Sequence, residues 1–271
     1  MENPTLGRVG MWLLAAFGVV AVFAPLLAPY DPTAYVTAPF ARPSGAHLLG
    51  GNDVGQDLLS ELIYGTRISL LFGLAAATLG TGVGLLVGLS AGFFRGAVDT
   101  VLMRLVDVVL VMPFLPLMLI LAAFIGPGVL TELAVISAVM WAGPARELRS
   151  QTLTIRERGH VQAALAMGAG SGYVLRRHVL PGVASLIPPQ LVRAAKGAIL
   201  LEASLSFLGL GDPTVRSWGT MLYYANARSA YLTDAWLWWV VPPGLAIAGL
   251  VLAFALTGYA LEAWGRPRAR A

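Results

Sequence analysis

Long apolar runs alternate with shorter polar segments along this chain. Because a membrane helix needs about 20 apolar residues, the pattern predicts about six transmembrane helices. The predicted spans cover residues 11–27, 68–93, 101–125, 129–143, 183–207 and 236–259. The second run is rich in glycine, which lets membrane helices approach closely. The first run lacks a clear small-residue cleavage site, so we interpret it as a retained helix.

The longest polar interruption covers residues 146–181, between the fourth and fifth spans. It holds six arginines: Arg146, Arg149, Arg156, Arg158, Arg176 and Arg177. Since basic loops stay on the cytoplasmic side of a membrane, this distribution places the segment in the cytoplasm. The same rule puts Arg8, Arg95, Arg104, Arg266, Arg268 and Arg270 inside, and Arg42, Arg67, Arg216 and Arg228 outside. Both termini are therefore expected in the cytoplasm.

The polar segment carries its own helix signals. Residues 157–167 are mostly good helix formers, and Val161, Ala164 and Leu165 share one face with Gly168. Gly168 and Gly170 suit the end of that helix. Ser171 is a candidate N-cap of a second short helix, which Pro181 would end. The pattern predicts two short helices joined by a glycine elbow, either as a docking element or as a solvated connector that only sets topology.

Composition defines the class of protein. Of the 271 residues, 57% are hydrophobic and only 12% are charged, which is typical of an integral membrane protein. The chain has no cysteine, which excludes disulfides, thiolate metal sites and thiol nucleophiles. The chain has a net charge of +4, and its basic residues flank the apolar runs. We interpret these basic residues as topology signals, so no nucleic-acid partner is expected. Tryptophans favour the membrane–water interface, so Trp236, Trp238 and Trp239 are expected at the outer interface.

Three ionisable residues interrupt the fifth apolar run: Arg193, Lys196 and Glu202. Charges at membrane depth are costly and usually face the bundle interior or a hydrated cavity. Glu202 lies almost opposite Arg193 on a helix, so the two cannot pair with each other. Arg193 and Lys196 are candidates for a polar pathway or for reaching the inner headgroups. Glu202 is expected to hold a neighbouring helix or a partner subunit.

The polar segment after the first span ends in another helix signal. Asn52 or Asp53 with Gln56 resembles a capping box, and the leucines and isoleucine that follow give one apolar face. This predicts a helix lying on the outer surface, as a structural brace or as a substrate contact.

Several motifs carry a resemblance to a known family. Gln162-Ala163-Ala164, Gly168 and Leu180-Pro181 resemble the E-A-A-x-x-x-G…L-P loop by which membrane subunits of ABC importers insert into a groove on their ATPases. Gln162 stands where the family usually has Glu, so an ionic role there is lost. The stretches 47–70, 99–113 and 202–211, with Ser217-Trp218-Gly219, resemble the C-type permease subunit of dipeptide, oligopeptide and nickel importers.

The resemblance implies an all-α integral membrane protein with a cytoplasmic coupling-helix loop. Residues 1–60 would form the N-terminal transmembrane helix and external linker, and 61–271 the core importer domain. We call residues 146–181 the coupling segment; Gln162, Ala163, Ala164, Gly168 and Ser171 would contact the ATPase. The implied partners are a homologous B-type permease, two cytoplasmic ATPases, an external solute-binding protein and the lipid bilayer. Short peptides are the implied cargo, with nickel as an alternative. The implied location of the protein is the inner membrane of a prokaryote.

No catalytic constellation is visible. Lys196 is the only lysine and lies outside any phosphate-binding loop, and the three histidines lack metal-ligand spacing. We therefore expect no enzyme activity, no cofactor and no metal site, with ATP hydrolysis on separate subunits. The alternative functions are a secondary transporter or channel that works without an ATPase, although no internal repeat is visible, and a structural membrane scaffold.

Overall fold

The computed structural model describes residues 4–265 as helices joined by loops, with no β-strand within that range. The helices are α1 (Pro4–Val22), α2 (Ala24–Leu27), α3 (Leu58–Phe94), α4 (Gly96–Val111), α5 (Phe114–Ile125), α6 (Val129–Met140), α7 (Ala142–Arg156), α8 (Gly159–Ala166), α9 (Ser171–Val174), α10 (Leu180–Ala184), α11 (Ile187–Phe207), α12 (Trp218–Ala227), α13 (Trp236–Trp239) and α14 (Val241–Gly265). A π-helical turn, Leu175–Val179, joins α9 to α10, and a 3₁₀ turn, Ala230–Leu232, follows α12. The C-terminal arginines assigned to the cytoplasm lie outside the described residues.

Helix α3 is the longest element and the axis of the fold. Its 37 residues extend for about 55 Å at 1.5 Å per residue, and it packs against α7 and α11. The prediction of a separate surface helix before a span at 68–93 is therefore wrong: both are parts of α3. Gly65 lies within α3 against Trp218, where a Cβ would come within 2.7 Å of the indole Cδ1, so the glycine permits this close packing.

The N-cap of α3 also differs from the predicted one. Asp57, and neither Asn52 nor Asp53, accepts the hydrogen bond from Ser60 N, at 2.8 Å. Asn52 instead closes the preceding turn, where its Oδ1 accepts from the backbone N of Val54 and Gln56. An asparagine side chain can organise such a turn locally, which explains why the pattern resembles a cap.

A row of glycines brings α3 and α7 into close contact. Gly84, Gly88 and Gly92 repeat every four residues on one face of α3, which faces the backbone of α7. A Cβ on Gly88 would lie 2.6 Å from Ala145 O and 3.0 Å from Arg149 N, and a Cβ on Gly92 would lie 2.8 Å from Arg149 O. This agrees with the prediction that the glycines of the second apolar run let helices approach closely, since small residues at this spacing allow two backbones to touch.

The third predicted span is divided. Residues 101–125 form α4 and α5, which meet at a 93° bend around Met112 and Pro113. Met112 is extended, at φ −67° and ψ 136°, as expected of a residue before proline. Within residues 4–265, three helical stretches are long and apolar enough to cross a membrane, Thr5–Leu27, Leu58–Phe94 and Trp236–Leu261, or four if the bent pair is one span. The α-helical membrane fold is confirmed, while the number of six spans stays a prediction.

The first and the last long helices of the described residues pack together. Helix α1 lies along α14, which also packs against α11. Gly7 and Gly10 permit this, because a Cβ on Gly10 would lie 2.7 Å from Thr257 N. Trp239 differs from the interfacial position predicted for it: it is 1% exposed and belongs to the core, whereas Trp236 is 43% exposed.

Candidate functional site

The coupling segment is anchored on the end of α3 opposite the Asp57 cap. Residues 146–156 do not form a loop but the larger part of α7. A hydrophobic cluster then joins this end of α3 to the short helices: Leu89, Phe93, Leu148, Ile155, Val161, Ala164, Val174, Val179 and Val183. The segment is thus a compact helical unit built on two long helices.

Helix α8 presents two of the predicted ATPase-contacting residues to solvent. Val161 and Ala164 are buried against the cluster, while Gln162 and Ala163 are exposed on the opposite side. Gln162 Nε2 donates to Arg156 O at 2.9 Å, which ties the first turn of α8 to the end of α7. An exposed small-residue surface next to a fixed amide is suited to contact with another protein.

Gly168 lies just beyond the end of α8. Its φ is +82°, a conformation that favours glycine, and a Cβ added to it would have nothing within 4 Å. Its N–H donates to Leu165 O, and Ala169 N donates to Ala164 O, so the chain turns away from the helix here. The glycine is required by the backbone conformation rather than by crowding within this chain.

Two predicted helix signals in the coupling segment are wrong in detail. Ser171 is the first residue of α9 and makes no capping hydrogen bond, and Gly170 occupies the N-cap position. Pro181 does not end a helix but lies in the first turn of α10. Proline is tolerated there because the missing N–H would have no partner in the helix.

Arg193 pairs with a residue of α7 that the sequence did not single out. Its Nη1 lies 3.3 Å from Glu147 Oε1, and Gln190 Nε2 also donates to Glu147. These side chains line a groove of about 360 Å³ between α7, the turn before α11, α11 itself and the end of α14. Lys196, one turn further along α11, is half-buried. The sequence did offer one signal for the contact between Arg193 and Glu147: Glu147 is a charged residue on α7, the helix that precedes α8.

Glu202 lies at the other end of α11, 2% exposed. Ser69 Oγ of α3 is 3.4 Å from its Oε2, and Ser206 Oγ is 3.2 Å from its Oε1. Ser206 Oγ is also 3.1 Å from Oε1 of the buried Glu132 of α6. Glu202 therefore takes part in a polar cluster that joins α3, α6 and α11. Glu132 was missed, although it is a lone charge in an apolar run.

A polar network fastens the linker between α2 and α3 to the start of α3. Asn52 Nδ2 donates to Gln56 Oε1 at 2.9 Å and to Glu61 Oε1 at 3.0 Å. Arg216, from the loop before α12, donates to Gln56 Oε1 at 3.0 Å and lies 3.7 Å from Glu61 Oε1. We call Asn52, Gln56, Asp57, Glu61 and Arg216 the linker network. This arrangement favours a structural brace over a substrate contact.

The same Asp-Pro-Thr turn occurs on both sides of this network. Asp31 and Asp212 each accept two hydrogen bonds from the threonine two residues later, at 2.6 to 2.9 Å. Hydrogen bonding from Thr33 lowers the pKa of Asp31, and hydrogen bonding from Thr214 lowers the pKa of Asp212. Both turns therefore carry ionised carboxylates at neutral pH.

The chain belongs to the family of inner membrane components of binding-protein-dependent transport systems, which matches residues 84–271. Residues 5–43 match the N-terminal transmembrane domain of oligopeptide transport permease C. The protein is thus a permease subunit of an ABC importer, located in a bacterial inner membrane, as its resemblance to the family predicted. Family membership also implies association with further permease and ATPase subunits.

Two similar proteins are named as permease proteins of peptide transport systems. The chain is 38% identical over 269 residues to the di/tripeptide transport system permease protein of Pseudomonas aeruginosa, covering 96% of this chain and 87% of that protein. It is 33% identical to the dipeptide transport system permease protein of Haemophilus influenzae, covering 94% and 88%. An inward-facing structure of the MetNI methionine ABC transporter aligns with a TM-score of 0.60 at 19% identity, covering 77% of this chain and 98% of that one. The likeness shows a shared fold.

Proposed function

We propose that this permease forms half of a translocation pathway for short peptides, in a complex with a homologous B-type permease, two ATPases and an external solute-binding protein. The peptide class rests on the relatives, which are named for dipeptide and di/tripeptide transport. Nickel remains the alternative cargo, because the C-type resemblance also covers nickel importers. A transporter that works without an ATPase lacks any comparable support.

The observation that carries the proposal is the exposed face of α8 beside the open, left-handed Gly168. An ATPase groove would receive Gln162 and Ala163, with Gly168 and Ser171 at the turn behind them. The buried side of α8 packs against α7 and belongs to the same hydrophobic cluster as Leu89 and Phe93 of α3. Force on α8 would therefore reach the membrane helices through this cluster and through the close contact of α3 with α7.

The groove beside Glu147 and Arg193 is our candidate for the cytoplasmic end of the pathway. Both side chains are about half exposed, so the pair can open at modest cost. We expect Arg193→Leu and Lys196→Leu to lower peptide uptake while ATPase docking survives. Glu202→Gln would instead affect folding first, because this carboxylate is enclosed between helices.

The test is purification of the tagged full-length chain in mild detergent, followed by assays of the chain alone and of its complex. ATPase subunits should co-purify, and only the complex should hydrolyse ATP, driving dipeptide uptake into vesicles. Hydrolysis by the chain alone would contradict the division of labour. Normal uptake without any ATPase would favour the secondary transporter.

Orientation can be measured separately because the chain has no cysteine. Ala46 and Arg158 are both exposed, at opposite ends of the fold. With both termini in the cytoplasm, a cysteine at 46 should react with an impermeant maleimide in intact cells, and one at 158 only after permeabilisation. The reverse pattern would invert the proposed topology and remove the docking role of α8.

A further inference from the structure

A shallow cavity lies where the external linker meets the first turn of the last membrane span. Its volume is about 370 Å³, and it is lined by Phe40, Arg42, Thr233, Asp234, Ala235 and Trp238. The apolar span that begins at Trp236 is directly next to it. The cavity therefore lies at the level where the protein passes from water into the membrane.

The linker is held against this span by a specific contact. Phe40 has φ +54°, which is unusual for a non-glycine residue and costs free energy. Its ring makes an edge-to-face contact with Trp239 at 5.9 Å, and its N–H donates to Asn52 O at 2.8 Å. Phe40 thus fixes the position of Arg42, two residues later, beside Asp234.

The two charged residues leave much of their bonding capacity unused. Arg42 Nη2 donates to Asp234 Oδ2 at 2.8 Å, and the side chains are 77% and 69% exposed. Within residues 4–265, neither side chain makes another hydrogen bond. A guanidinium has five N–H donors and a carboxylate two acceptor oxygens, so both can bind further charges.

The surroundings are suited to lipid chains. Tyr231, Leu232, Trp236 and Leu237 are 48%, 86%, 43% and 52% exposed. Large apolar side chains and tryptophans of this kind lie at membrane–water interfaces. A ligand here would have charged groups at Arg42 and Asp234 and an apolar part along α13 and the start of α14.

We propose that this cavity is a binding site for a zwitterionic phospholipid headgroup with a phosphate and a primary ammonium. The phosphate binds Arg42, which is suited to bidentate contacts with phosphate oxygens, and the ammonium donates to Asp234. The four charges then alternate in sign around the cavity. The acyl chains lie against Leu232, Trp236 and Leu237. The site would hold the external linker on α13, whichever face of the membrane it occupies.

Native mass spectrometry of the full-length chain, purified in mild detergent and mixed with defined lipids, tests this site. The wild type should retain phosphatidylethanolamine in preference to phosphatidylglycerol, which has the phosphate but no ammonium. Asp234→Asn should remove this preference, a loss of roughly tenfold as expected for one charge-assisted hydrogen bond. Arg42→Gln should weaken retention of both lipids. Monodisperse elution of each variant verifies that it is folded.

Glu157→Gln is the matched control. Glu157 also pairs with an arginine at 2.8 Å, is 68% exposed, and lies at the other end of α3. It should leave lipid retention unchanged. Equal retention of both lipids by the wild type, or an unchanged preference in Asp234→Asn, would overturn the headgroup site. Displacement of phosphatidylethanolamine by excess dialanine would also overturn it, because the occupant would then be a peptide.

Discussion

The two ends of α3 are built in opposite ways. At the Leu58 end, the linker network is enclosed, with Asn52, Gln56, Asp57 and Glu61 each at most 4% exposed. At the Phe94 end, the coupling segment exposes Gln162, Ala163 and Gly168, and no residue within 4–265 crowds that glycine. Buried polar groups must be satisfied internally, whereas an exposed small-residue surface is available to a partner. The first end maintains structure, and the second is suited to transmit movement.

The difference predicts how substitutions act. Changes in the linker network and in the helix contacts should lower stability. Changes in the coupling segment should lower ATPase docking and leave the fold intact. The following substitutions test this distinction, from the largest expected effect to the smallest.

Gly88→Leu should have the largest effect. Its Cβ alone would come within 2.6 Å of Ala145 O, a backbone atom that cannot move without shifting α7. Separating α3 from α7 should cost about 3 kcal/mol or more of folding free energy and abolish assembly, as judged by size-exclusion chromatography. Gly82→Leu is the control on the same helix, since a Cβ there has nothing within 4 Å. A well-folded Gly88→Leu would show that the close contact is unnecessary.

Arg216→Met should destabilise the Leu58 end. It removes the cation beside Glu61, whose side chain is 3% exposed, and leaves the carboxylate with Asn52 as its donor. Breaking a buried pair costs about 3 kcal/mol, which thermal unfolding in detergent would detect. Arg228→Met is the control, because Arg228 is 56% exposed and its pair with Asp53 should contribute about 1 kcal/mol at most. Similar losses in both variants would contradict the importance of burial.

Gly168→Ala should act on docking rather than on the fold. A side chain at φ +82° costs about 1 kcal/mol, which corresponds to roughly a fivefold decrease in the population of molecules that hold the turn in its docking-competent conformation. Gly170→Ala is matched, since Gly170 has equal space but an ordinary φ of −61°. Co-purification of the ATPase should fall for Gly168→Ala and not for Gly170→Ala. If both variants behave like the wild type, the left-handed turn has no part in docking.

Gln162→Ala should have the smallest effect. It removes one exposed hydrogen bond, from Nε2 to Arg156 O at 2.9 Å, which contributes about 0.5 kcal/mol. Co-purified ATPase should fall less than for Gly168→Ala, because this position already lacks the charge usual in the family. A loss as large as that of Gly168→Ala would mean that the amide itself contacts the ATPase.

Much of the coupling segment could be predicted from sequence because its signals are local. The elbow at Gly168 depends on one residue's own backbone preference, and the buried side of α8 follows from its spacing of Val161 and Ala164. The helix ends were less predictable. Ser171 suits either the N-cap or the first turn of a helix, and Pro181 suits either the position after a helix or its first turn. Packing around Val174 and Val183 selects among these positions.

Sequence by itself determined the class of protein, since apolar runs of this length can only be helices in a membrane. It also determined the family, through motifs in the right order. Tertiary structure alone decided the partners of the polar residues: Glu147 for Arg193, Ser69 and Ser206 for Glu202, and Arg216 for Glu61. Except for Ser206, which lies one turn from Glu202 on α11, these partners are distant in the sequence, and no local preference encodes which distant side chain a charge will meet.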